Sequence, residues 1–423
     1  MNILSTPART AAEAAIIDTF QQRVSDLPGD PSVMLKRDAA IEQIKSGLPT
    51  RRVEAWHYTD LRRLLQAIPA RDSMRAAPEP IAPLLDGSVV LPLRDGVSTA
   101  DVQSIDGVTV ERLREKLGDG SFARAMDPQG SDDTIGALNT AFVDDGYWLD
   151  IAPDTKLDRP IELQSLQTGG QVHVRLPVRI GARASGVIVE RQTGTGDGLV
   201  TAVSNLVVGD EADLIWLIVQ DQPLGATHLG QFNAWLGRNA RLLVFVMNAG
   251  GKLVRQEIRV ETQGEGGDFR LRGVNLLGGE THTDVTMVLD HAHPHTSSTE
   301  IVRNIVTDRA RGVFQGRINV HQPAQKTDAK MACNTLLLSD DGEFSAKPEL
   351  EIFADDVQCG HGATVTEIDA NHLFYLMARG IDERTARGLL VKAFVAEVIE
   401  ELEDEPMVEA LEAMLDRWFE NHG

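Results

Sequence analysis

The segment from Ala354 to Thr364 reads ADDVQCGHGAT and holds one of only two cysteines among 423 residues. Cys359 and His361 stand two residues apart. On an extended backbone both side chains leave the same face, so a thiol and an imidazole can approach one metal ion or cluster. The segment also offers two carboxyl groups, Asp355 and Asp356, the type of pair that flanks the scissile bond in β-helical glycoside hydrolases. Adjacent strand residues face opposite ways, so at most one of them enters a given cleft, and a turn role suits them better. Thiolate character at Cys359 stays open: a protonated His361 favours it and the aspartates oppose it. The plain alternative for Cys359 is a small hydrophobe in a turn. Gly360 and Gly362, on either side of His361, would let another backbone come close.

Other donors are sparse. Cys333, in KMACNTLLLSDD, precedes an apolar run and on its own reads as core. In DHAHPHTSSTE, residues 290–300, an extended chain puts His291, His293 and His295 on one side, where neutral imidazoles can bind zinc or iron. Pro294 interrupts any ladder there and no further His or Cys is close in sequence, so a solvated turn is the better reading. A stable iron-sulfur cluster takes four cysteine-type ligands, with histidine an occasional replacement. One Cys-x-His and one distant cysteine fall short, so a cluster here is incomplete, transient or shared with a second chain. No GxxxxGK[ST] loop is present, and GTGDG at 194–198 lacks a strand-turn-helix context, so nucleotide hydrolysis is not expected of this chain.

The elements that must position these groups are legible in outline. To about residue 66 the chain looks helical: AAEAAIIDTFQQRV and DAAIEQIKSG carry apolar residues at three- and four-residue spacing, with Gly47 and Pro49 closing the second run. A loop rich in Pro and Ala follows at 71–83, and ALNTAFVDDGYWLDIAP at 137–153 switches to strand chemistry, with a turn at Pro153-Asp154. From there to about 363 short strands alternate with Gly and polar turns. Gly181, Gly209 and Gly237 recur with a constant period of 28, as do Ala184, Ala212 and Ala240. Gly279 falls one and a half such units after Gly237, which points to an underlying unit of 14. A fixed period of this kind indicates stacked units, hence a β-solenoid rather than a sandwich. Such a stack leaves strand edges at its ends, which the terminal helices would cap; an uncovered edge would be an interface. Helices return after Thr364: Asp369 caps ANHLFYLMAR, Gly380 stops it, and Asp382 caps the next helix, with Ala386, Leu389, Leu390, Ala393, Phe394, Val398 and Leu402 as its apolar stripe. Pro406 ends that helix, and a last one carries Met407, Leu411, Met414, Leu415, Trp418 and Phe419 on one side.

Composition narrows the function. Charged residues make up 25% and apolar ones 42%, ordinary for a soluble globular protein, and no apolar run is long enough to span a bilayer. With 41 basic and 63 acidic residues the net charge is −22, a field that repels nucleic acid and anionic lipid. Two cysteines and an N-terminus without a secretory pattern fit a reducing cytoplasm.

Three stretches carry a family resemblance: GVFQGRINVHQPAQKTDAK, LLLSDDGEFSAKPELEIFADDVQCGHGATV and LFYLMARGIDERTARGLLVKAF. Together they resemble the core and C-terminal signature of the SufB/SufD family, assembly proteins of the SUF iron-sulfur system. PTRRVEAWHYTDL at 49–61 resembles the N-terminal signature of the SufD branch. Gly360-His361-Gly362-Ala363-Thr364, where SufB-like chains carry Glu-His-Glu-Ala-Thr, points the same way. The resemblance implies a right-handed parallel β-helix core at 149–363 between an N-terminal helical and mixed domain at 1–148 and a C-terminal helical domain at 364–423. It further implies a scaffold rather than an enzyme, paired with a SufB-like paralogue and docking a SufC-like ATPase. The docking region would include Leu373, Phe374, Tyr375, Arg379 and Gly380. His361 matches the histidine of the interface where a nascent cluster forms, and Cys359 the neighbouring cysteine. Both would be transient metal ligands shared with the paralogue. Cys333 falls where SufB-like chains carry an interface cysteine, and is an extra ligand or a relic. No cofactor is expected to stay on this chain. The complex would hold a transient cluster, with flavin as a further candidate, and self-pairing into a homodimer is an option for the isolated chain.

Overall fold

Each glycine of the periodic set follows a strand and opens the same turn. In the computed structural model, which describes residues 8–69, 76, 78–99 and 104–422, these turns stack directly on one another. A Cβ at Gly181 would lie 2.4 Å from the backbone nitrogen of Pro153, and one at Gly209 would lie 2.8 Å from that of Ala182. Two residues on, the backbone turns left-handed at Arg183, Glu211 and Asn239. Their amides donate to the carbonyls of Asp210, Arg238 and Glu265 in the next turn of the stack. Ala184, Ala212 and Ala240 then lie buried. The period is therefore set by contact between turns.

Strands alternate between two mainly parallel sheets, each with one antiparallel pair at its first end, to make a β-solenoid of about 8 turns. Gly186 sits beside Leu214 and Leu214 beside Leu242, so one full turn of the solenoid equals one period of the sequence. One strand with its turn makes the half-period unit, and Gly279 belongs to the opposite turn, after the strand Asp268–Leu277. The interior is packed with side chains, including Trp216, Phe232, Phe269 and Phe314, and burying each such side chain contributes about 1.5–3 kcal/mol. Polar groups share that interior in a column along the first sheet: Gln192, Gln220, Asn248, Asn275, Asn304 and Thr335 occupy successive turns, all buried. Asn248 donates to Asn275 at 2.7 Å, Asn275 to Asn304 at 2.8 Å and Asn304 to Thr335 at 3.0 Å. This bonded part of the column pairs the amides of Asn248, Asn275 and Asn304 and helps fix strand register.

The helices do not cap the ends of the stack as expected. They cover its two faces, because the strands are apolar outward as well as inward. Ala12, Ile16, Phe20, Ile41, Ile135 and Leu138 pack on Leu199, Val203, Leu229 and Leu253 of the second sheet. On the first sheet, Val391, Val395, Leu411 and Leu415 pack on Leu217, Phe245, Val274 and Leu336. A solenoid apolar on both sides needs this double cover.

The expected helices are present at Ala11–Arg23 and Pro31–Lys45, the second closed by a left-handed Gly47. Other expectations need correction. ALNTAF belongs to a helix, Thr134–Phe142, because the Asp133 carboxylate accepts from the Gly136 amide and starts it; the strand begins only at Asp145. Within the helix Glu383–Glu400, Leu389 and Ala393 are exposed, and the buried stripe runs through Ala386, Val391, Val395, Val398 and Ile399. Pro406 does not end this helix but lies in the first turn of the next, Glu405–His422, where a missing N–H costs nothing. Of the expected loop at 71–83, residues 71–75 and 77 lie outside the described residues.

Candidate functional site

Both sheets finish at the same end of the solenoid. Glu343–Ile352 is the last strand of the second sheet and Gln358–Thr366 the last of the first, each paired on one side only. Register fixes where the side chains point. Cys359, His361, Ala363 and Val365 lie beside Ala329, Met331, Cys333 and Thr335, all buried inward-facing residues. Cys359 and His361 therefore share the inward face of the terminal turn, as their spacing predicts, but no further turn covers them. Cys359 is half-buried against the core, whereas His361 is exposed and its side chain makes no hydrogen bond or ion pair among the described residues.

Surroundings divide the three donors. Cys333 is buried one turn below, where Asn304 donates to its sulfur at 3.4 Å. Burial pushes its thiol up to about 12 despite that bond. Its Cα lies roughly 8 Å from that of His361, judged from two residues along a strand and one strand across. Burial also raises the Cys359 thiol, opposed by the Ala329 backbone and reinforced by Asp328. A metal would have to displace that proton to gain the sulfur. Among the described residues no group of three His, Cys, Asp or Glu side chains could hold a metal ion.

The edge itself is open. A Cβ at Gly360 or at Gly362 would meet nothing within 4 Å, so nothing among the described residues calls for glycine there. Gln358–Thr366 contains no proline and no Lys, Arg, Asp or Glu, the devices that blunt an exposed edge. Phe353, at 62% exposure, and the exposed Ile352 and Val365 add apolar surface beside it. The neighbouring strand is blunted by Pro348, which has no N–H to offer.

The other candidates resolve into turns. Asp355 and Asp356 form the last turn of the stack: the Asp356 carbonyl accepts from Lys326, and its carboxylate pairs with the Lys326 ammonium. His293 and His295 occupy an equivalent turn, with His295 left-handed and both exposed. His291 faces inward instead, bonded to Thr296 and Ser298, and burial pulls it down to about 4. The three imidazoles do not converge.

A second exposed feature follows the terminal strand. The helix Ala370–Met377, capped by Asp369, has no buried residue. Phe374 is 72% exposed and Tyr375 55%; Leu373 is half-buried. The Arg379 guanidinium lies 3.4 Å from the centroid of the Tyr375 ring, and Gly380 turns left-handed to stop the helix.

Sequence reading missed the network that seats the PTRRVEAWHYTDL segment. Arg255, fully buried on the second sheet, bonds Glu257 at 2.9 Å, Asp284 at 2.5 Å and the Ala55 carbonyl at 2.8 Å. Its guanidinium lies 4.0 Å from the centroid of the Trp56 ring. Thr59 bonds both Asp284 and His282. Partners so far apart along the chain leave no local signal. The interior amide column did leave one, since Gln192, Gln220 and Asn248 follow the same period as the turn glycines.

Comparison with known proteins places these features. A family model described as SUF system FeS cluster assembly, SufBD core domain, matches residues 163–394. Iron-sulfur cluster assembly protein SufD of Escherichia coli is 28% identical over 378 residues, 86% of this chain and 87% of the relative. A chloroplastic protein of Arabidopsis thaliana, ABCI7, is 27% identical over 439 residues, 94% and 90% of the two chains. An iron-sulfur cluster assembly SufBD family protein of Mycobacterium tuberculosis is 28% identical over 388 residues, 88% and 90%.

Proposed function

The chain belongs to the SufBD core family of the SUF iron-sulfur cluster assembly system, and on that premise we propose that it is a non-catalytic scaffold subunit whose open terminal edge pairs with a SufB-like paralogue. The observation that carries this reading is the uncovered strand Gln358–Thr366, with His361 inward-facing yet exposed and no described residue of this chain opposite it. A paired second edge would bring further donors to the same face, turning a half-site into a shared one. His361 supplies a nitrogen ligand to the nascent cluster. Cys359 supplies a sulfur once metal displaces its proton, and Cys333, buried and protonated, packs the turn below. Iron and sulfur are cargo here.

The exposed helix Ala370–Met377 suits a second role, docking a SufC-like ATPase through Phe374 and Tyr375. It follows directly on the edge strand, so movement of the ATPase would reach the paired edge by a short path. Energy then comes from the partner.

Purification of the tagged chain from its host should recover a longer paralogue and an ABC-type ATPase. A Phe374→Ala/Tyr375→Ala variant should lose most of the ATPase and keep the paralogue, with an unaltered melting curve because both side chains are exposed. Full retention of the ATPase by that variant would remove this helix from docking, and a reproducible monomer would remove the scaffold reading.

A further inference from the structure

We infer that the cleft between the PTRRVEAWHYTDL segment and the second sheet is a binding site for a small dianion of the phosphate or sulfate type. The cleft has a volume of about 320 Å³. Arg51 and His57 line it from the segment, Arg63 from the short helix Leu61–Leu64 that follows, and His282 and Arg311 from the sheet. Such a convergence of basic groups stands out in a chain of net charge −22.

The acidic groups facing the cleft are largely committed. Asp60 accepts from the Arg63 amide at 3.0 Å as the cap of a short helix, and Glu343 lies 3.4 Å from Arg311. The guanidinium groups of Arg51 and Arg63 make no hydrogen bond or ion pair among the described residues. Planar forks of this kind match the oxygens of a tetrahedral oxyanion.

His282 supplies an independent argument. It is 9% exposed, and its Nε2 lies 2.9 Å from the Thr59 hydroxyl. Thr59 has one proton, which it donates to the Asp284 carboxylate. It must therefore accept from Nε2–H, and the neutral ring keeps a bare Nδ1. Burial lowers the pKa of His282; Asp284 opposes this, while Arg311, Arg255 and Arg51 add to it. Tyr58, His57, Asp60, Arg63 and Glu343 complete the groups around the cleft. An anion among the arginines offsets their repulsion, so His282 takes up a proton on binding and Nδ1–H becomes a donor. The sign follows: affinity rises as pH falls toward the ordinary histidine range.

Sulfate stays a dianion across that range and isolates the protein's own proton. Calorimetric titration of the full chain with sulfate at low ionic strength should show one site with proton uptake, several-fold tighter at about pH 6 than at about pH 8. Arg51→Ala/Arg63→Ala, both at exposed positions, should weaken binding by about tenfold or more with melting unchanged. His282→Gln keeps a donor for Thr59 and should bind with a weaker pH dependence. Inorganic phosphate and a phosphate monoester should both displace sulfate. Better competition by the monoester assigns the site to a phosphorylated metabolite, and better competition by the ion assigns it to free phosphate. No saturable sulfate binding, equal affinity in the double arginine variant, or affinity independent of pH in the unaltered chain would each overturn the inference.

Discussion

Replacing His361 by Ala should lower cluster formation in the reconstituted complex by more than about tenfold, since loss even of a group that merely orients a metal ligand costs tenfold or more. The complex itself should still assemble. The His361 side chain is exposed and bonds to nothing among the described residues of its own chain, so its removal should leave the fold intact, and melting curves of the variant and parent should superimpose. Loss of activity then reports on the site alone. Cys359→Ala should give a smaller loss, because burial keeps that thiol protonated until metal arrives. Cluster formation followed by iron and sulfide content in the purified complex measures both. Full activity in His361→Ala with the complex intact would take His361 out of the mechanism.

Arg255→Ala should have the largest effect on stability, about 3–5 kcal/mol, the cost of breaking a buried ion pair from one side. Glu257 and Asp284 would remain buried with the guanidinium gone, although Arg259 still reaches Glu257 at 2.9 Å and Thr286 still bonds Asp284 at 2.9 Å. The Trp56 ring would lose its cation, and the Ala55 carbonyl its donor. Burial by itself raises the Glu257 pKa, but Arg255 and Arg259 outweigh it and hold the carboxyl below its ordinary value of 4.5. That depressed pKa gives stability present above 4.5 and lost as pH falls through the folded-state value. Removing Arg255 removes this contribution, so urea melts of parent and variant should differ most near neutral pH and converge on acidification. A constant difference across that range would show that lost packing on Trp56, rather than charge, sets the cost.

How much of this was legible in the sequence depended on whether a signal was local or periodic. The repeat survived in Gly181, Gly209 and Gly237 because stacked turns forbid a side chain there. It faded afterwards because the turns change length. Along the amide column the sequence separation is 27 from Asn248 to Asn275, 29 from Asn275 to Asn304 and 31 from Asn304 to Thr335. The shared face of Cys359 and His361 followed from strand alternation alone. Their opposite exposures did not, since these depend on His361 lying over the open end and Cys359 over the core. The helices were found but misplaced as end caps, because an apolar stripe says that a helix is covered and not by which surface. The seat of Trp56 and Arg255 was invisible, as it joins an N-terminal segment to a strand in the middle of the solenoid.

Pairing through the terminal edge is tested most directly by amide hydrogen exchange across Gln358–Thr366, in the chain alone and in complex with its SufB-like paralogue. In the isolated chain the outward-facing amides of this strand should exchange quickly, since among the described residues only the strand Asp328–Leu337 pairs with it. In the complex they should be protected together with His361. A stable complex in which this strand exchanges as fast as before would contradict the pairing and place the partner elsewhere.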